Sequence, residues 1–369
     1  MPRVTTSVAA LTLALATACS GASARRVEVR WPSDPDPARI RFVKAITSGA
    51  DVETSSWTSF QRSLLGTSPV TFRQPTSLAL TGDGLRLYMT DQSMGQVIWF
   101  DFKQGQAGRM APDVGFAQPF GLAIDDQGIV YVSEPPARRV RAFNPAGQLL
   151  REFGTEAERP TGLALDQKRQ LIYVADGSFP TSQNHRVLVY SLQGKLLRTI
   201  GTRGSAPGQF NFPAHLTVDR DGNLYVVDSL NFRVQVFDPE GNVFRFFGEA
   251  GESLGKFARP KGVAVDKRGI VYVVDAEMAN VQMFNDRSQL LMSFGGKINM
   301  LEYFDIPGPI TVDSAGKYIY VGDLNNVLPR VNVYEFLEVA EQAPAASPGK
   351  VPGAGATVPA ADPAAPATK

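Results

Sequence analysis

The chain has one cysteine, Cys19, and two histidines, His185 and His215, among 369 residues. A lone thiol excludes an intramolecular disulfide, so packing and sheet closure must hold the fold together. Two histidines are too few for a three-histidine zinc centre. There is no Ser-His-Asp spacing, no glycine-rich phosphate loop and no CxxCH haem motif. Charge of one sign is also missing: the net charge is +1, which gives no bulk attraction to nucleic acid or anionic lipid. The longest N-terminal apolar run, residues 8–16, is too short to span a bilayer stably.

What is present begins with a targeting segment. Arg3 supplies a short positive region, residues 8–16 the apolar run, and Thr17 and Ala18 the small residues before Cys19. The string LATAC at 15–19 resembles a bacterial lipobox. That resemblance implies an exported protein whose Cys19 carries a lipid anchor to a membrane. Ser20 at the next position implies the outer membrane over retention at the inner one, with the periplasm as the compartment served. Residues 1–19 are thus read as signal peptide. Residues 20–37, with Pro32, Pro35 and Pro37, read as an extended tether. Residues 337–369 are Ala, Pro and Gly with almost nothing large to bury, the composition of a disordered tail.

Between them, residues 38–336 are repetitive. Units start at Pro75, Pro119, Pro160, Pro213, Pro260 and Pro307, at spacings of 44, 41, 53, 47 and 47, the length of a four-stranded propeller blade. The unit from Pro213 shows why: LTVD, NLYVVD, RVQVFD and VFRFFG are rich in β-branched and aromatic residues and are separated by turn clusters. In DRDG at 219–222 and DPEG at 238–241, Asp bonds the backbone of the turn and Gly accepts positive φ. The fold class expected is all-β, a six-bladed β-propeller.

The Pro-x-Gly start, Val-Asp-x-x-Gly turn, Tyr-Val-x-Asp second strand and Arg-Val-x-Val-Phe third strand resemble the NHL repeat over residues 75–336. The lead-in WPSDPDPARI resembles that of a subgroup of bacterial NHL lipoproteins. The sixth unit ends after RVNVYEF without a fourth strand. ARIRFVKAI, residues 38–46, alternates like an outer strand and is expected to fill that place, closing the ring. In SSWTSFQRSLL, Trp57, Phe60 and Leu64 fall at helical spacing and suggest a short helix capping one end of the core.

The meander puts the long, glycine-rich inter-blade loops and the second-to-third turns on one face, where function usually sits. On that face each second strand ends in an acid: Asp91, Glu134, Asp176, Asp228, Asp275 and Asp323. Four third strands begin with Arg139, Arg186, Arg233 or Arg330. Within a blade these pairs would pin the loops, and as a ring they would form a polar rim for a partner. The third blade has the longest second-to-third loop, residues 177–186, with Phe179 and His185 expected to be exposed on it as candidate contacts.

Peptide-amidating lyases and sugar-lactone hydrolases share the six-bladed plan, so a metal-dependent hydrolase or lyase at the central channel is the alternative reading. The recurring Asp positions belong to the repeat and are no evidence for such a metal. The reading that results is a non-enzymatic, monomeric envelope module. Its long-loop face docks a protein, peptide or glycan, without nucleic acid and with no cofactor beyond the lipid on Cys19.

Overall fold

The computed structural model describes residues 29–32, 36–53, 69–177, 181–297, 303–325 and 327–338. Cys19, Phe179, the helix expected around Trp57 and the tail from residue 339 lie outside them.

Alternating apolar residues fold each repeat into an antiparallel meander. Pro213–Val218, Leu224–Asp228, Arg233–Phe237 and Val243–Phe247 make blade 4, and blades 1, 2, 3 and 5 are built in the same way from residues 75–110, 122–153, 160–200 and 260–295. Middle strands are covered on both sides: Leu224, Tyr225, Val226 and Val227 are all buried, each side chain meeting a neighbouring blade. The first strand of each blade touches that of the next, and the sixth touches the first, which closes a six-membered ring around a central channel.

Blade 6 takes its fourth strand from the other end of the chain. Ile40–Ile46 runs antiparallel to Arg330–Phe336, with Ile46 opposite Val331 and Ile40 opposite Phe336. The expected closure is therefore what the fold uses. Burial explains the attraction: Tyr334 is fully enclosed, with Phe42 and Trp31 ring centroids both 5.7 Å away and Phe294 at 5.0 Å. Arg30–Trp31, read from sequence as tether, instead pairs with Ile40 and Arg41 as a fifth, outermost strand, since Trp31 has this aromatic cluster to cover. At the other end Leu337 is buried and its amide donates to Arg39 O at 2.8 Å.

Candidate functional site

The six acids at the ends of the second strands, Asp176 one residue short of its end, are all buried without accessible surface, and each accepts from the inter-blade loop that precedes its own blade. Asp91 takes Arg73 N at 2.8 Å, Glu134 takes Ala117 N at 2.7 Å, and Asp228 takes Asn211 N at 2.6 Å. Asp176 takes the amides of Glu158 and Arg159, Asp275 those of Ala258 and Arg259, and Asp323 those of Asp305 and Ile306. Burial pushes the carboxyls of Asp176, Asp228 and Asp323 up, against the loop amides and the arginine that favour the charged form. These acids act on the face through the loops they hold.

The four arginines complete the pins. Arg233 Nε lies 2.9 Å from Asp228 while its other nitrogen donates to Ala206 O and Gln209 O. Arg330 lies 2.7 Å from Asp323 and donates to Tyr303 O. Arg186 and Arg139 are more open, at 3.2 Å from Asp176 and 3.4 Å from Glu134. Blades 1 and 5 start their third strands with Gln96 and Asn280; Gln96 donates to Thr71 O at 2.9 Å.

Sequence reasoning missed a second layer of pins two residues further on. Arg141 bonds Glu134 and donates to Gly115 O, and Gln235 both accepts from Gly208 N and donates to Gln209 O. Gln282 repeats this with Gly255 N and Lys256 O, and Asn332 donates to Tyr303 O. The signal was in the pattern: a polar residue at the centre of an otherwise buried Arg-Val-x-Val-Phe strand needs partners.

Glycine makes the loops possible. Phe257 turns inward from the loop after blade 4 and is fully buried. A Cβ on Gly248, whose φ is +89°, would stand 2.4 Å from its ring. The same relation links Gly201 to Phe210 and Gly295 to Phe304.

His185 corrects an expectation. It is fully buried and opens the third strand of blade 3, His185–Ser191, with Nδ1 accepting from Phe212 N at 3.1 Å. Pairing of Gly177 with His185 extends the ladder past the expected loop boundary, drawing the ring inward. Its partner in that expectation, Phe179, lies outside the described residues.

The two faces differ in exposed apolar residues. On the long-loop face Met94, Val114, Leu230, Leu254, Val327 and Leu328 project into solvent, with Val327 91% exposed. Among the described residues the opposite face offers only Leu85. The remaining exposed large apolar side chains lie on the outer strands.

The channel encloses about 240 Å³, lined by the first strands of all six blades from the level of His215 down to Gln167 in a tight turn. At the third position of the repeat, counted from its opening proline, blades 2, 3 and 5 carry Gly121, Gly162 and Gly262, where a Cβ would meet a carbonyl of the next blade at 2.1 to 2.4 Å. Blade 4 has His215 instead, and its ring lies 5.4 Å from Phe120 of blade 2. Burial, then the field of Lys261, pushes its pKa down to about 4.

These residues do not fit a resident metal. The recurring carboxylates are committed to loop amides, and among the described residues no three His, Cys, Asp or Glu side chains come together as a donor set.

Residues 69–178 match the SMP-30/gluconolactonase/LRE-like region family and residues 210–237 match the NHL repeat. No curated protein matches the chain. Among solved structures it is similar to virginiamycin B lyase from Staphylococcus aureus, at 14% identity and TM-score 0.53 over 73% of this chain and 84% of that one. It is similar to Kuenenia stuttgartiensis hydrazine synthase, at 15% and 0.52 over 70% and 95%. A structural genomics protein of unknown function from Bacteroides thetaiotaomicron gives 18% and 0.55 over 72% and 70%. At these identities the likeness is one of fold.

Proposed function

We propose that this chain, a six-bladed NHL-repeat β-propeller, is a non-enzymatic docking module of the cell envelope, tethered by a lipid on Cys19. It binds a protein, peptide or glycan through its long-loop face. One observation carries the reading: among the described residues, apolar side chains project from that face and almost none from the opposite one. Exposed apolar residues held on ordered polar loops are the ordinary make-up of a recognition surface. The pins supply the order, because a loop whose amides and carbonyls are already bonded loses little conformational freedom on binding.

Neither lyase nor lactone-hydrolase chemistry is supported by the donor set. The test is a triple substitution, Leu230→Ser, Leu254→Ser and Val327→Ser, in full-length protein extracted from membranes after mild cross-linking. Loss of the cross-linked partner, with a matching outer-strand triple of Leu197, Phe244 and Leu291 retaining it, is the expected result. Equal capture by both triples would refute the reading.

A further inference from the structure

The start of each first strand carries two residues that the repeat leaves free to vary, the one before the proline and the one after it. In blades 3 and 5 these positions bring Arg159, Arg259 and Lys261. In blades 2 and 4 they bring Phe120 and Phe212. One contact that skips a blade shows where these positions point, and the first strands of blades 3 and 5, both adjoining that of blade 4, carry the cations beside it. Phe120 of blade 2 meets His215 of blade 4, passing over blade 3, and only side chains directed at the axis make such a contact. Burial, then the charges of its neighbour Arg259 and of Arg159 at the entry to blade 3, push the pKa of Lys261 in blade 5 down. Arg159 stands 5.7 Å over the Phe212 ring and donates to Gly177 O at 3.2 Å.

This group has no counter-charge among the described residues. Among the described residues Arg159, Arg259 and Lys261 have no carboxylate within salt-bridge distance, and the ammonium of Lys261 has no hydrogen-bond acceptor, although Lys261 is half-buried. Asp176 and Asp275 face the backbone amides of Arg159 and Arg259, and Glu158 is bonded by Ser182 and Asn184. Asp176 is further bound by Arg186. Bringing like charges together at a partly desolvated site is unfavourable unless something negative occupies it. Guanidinium forks and an ammonium suit the oxygens of a carboxylate or phosphate, and the flanking phenyl rings suit an apolar body attached to it.

We propose that the long-loop mouth of the channel binds an oxyanion headgroup, carboxylate or phosphate, through Arg159, Arg259 and Lys261, with Phe120, Phe212 and His215 as its walls. The site lies at the axis and is separate from the apolar loop tips, so either could hold if the other failed.

The test uses the full-length protein in low-salt buffer, titrated calorimetrically with citrate and with inorganic phosphate, against sodium chloride as a control. Saturable binding of at least one is expected, weakened tenfold or more by Lys261→Met and by the exposed Arg259→Gln. Tighter citrate binding assigns a carboxylate and tighter phosphate binding a phosphoryl group. Because the chain has two histidines, NMR resolves both, and His215 should titrate at least one pH unit higher with the anion bound while His185 reports an unchanged fold. Absence of binding by both probes, or equal binding by wild type and both variants, overturns the proposal.

Discussion

Asp228 and Arg233 form an ion pair at 2.9 Å with both side chains almost completely enclosed, whereas the corresponding Arg139 of blade 2 is 30% exposed and shares Glu134 with Arg141. Removing one partner of an enclosed pair strands the other charge. Arg233→Ala should therefore lower stability by about 3–5 kcal/mol. Arg139→Ala should cost less than about 1 kcal/mol, since Arg141 still holds Glu134. Denaturant unfolding of the two variants checks the ranking, and equal losses would contradict it.

His215 makes stability depend on pH. Its folded pKa of about 4 lies below the ordinary value of 6.5. Above 6.5 the imidazole is neutral in both states. As pH falls from 6.5 towards 4 the unfolded chain gains a proton that the folded one refuses, so stability is lost in that window, at up to about 1.4 kcal/mol per pH unit. His215→Phe should remove this component, seen as a flatter difference profile between variant and wild type in unfolding experiments from pH 4 to 7.

Gly248 tests the loop anchor. Gly248→Ala forces a side chain into positive φ and into the Phe257 ring. A cost of about 2 kcal/mol or more is expected, along with faster hydrogen exchange at Ala258 and Arg259, the amides held by Asp275. An unchanged midpoint and unchanged exchange would show that the anchor is dispensable.

Cys19 tests the tether. Cys19→Ala should abolish incorporation of labelled fatty acid and move the protein from the membrane fraction to the soluble one. Retention at the membrane by the variant would contradict a lipid anchor at that residue.

Blade number and ring closure were legible because they follow from periodicity and from an unpaired edge: six prolines count the blades, and ARIRFVKAI had no other sheet to join. The acids and arginines could be placed on one face, since strand direction fixes which ends lie together. Their burial was not legible, because it depends on loops folding back over them, as the loop after blade 4 does around Phe257. His185 was misplaced for a similar reason: one more rung between Gly177 and His185 moves a loop residue into the sheet. Phe120, Arg159, Arg259 and Lys261 were overlooked because the pattern calls their positions variable, and only the ring brings the starts of different blades together. The departure of His215 from Pro-x-Gly was the available clue.

A partner docked on the long-loop face would touch the loop tips there and leave the opposite turns free. A photo-cross-linking amino acid placed singly at Leu254, Val327 and Leu85, in membrane-tethered protein, tests this docking most directly. Adducts to one common partner from Leu254 and Val327, with none from Leu85, are expected; adducts from Leu85 alone, or equally from all three, would contradict the account.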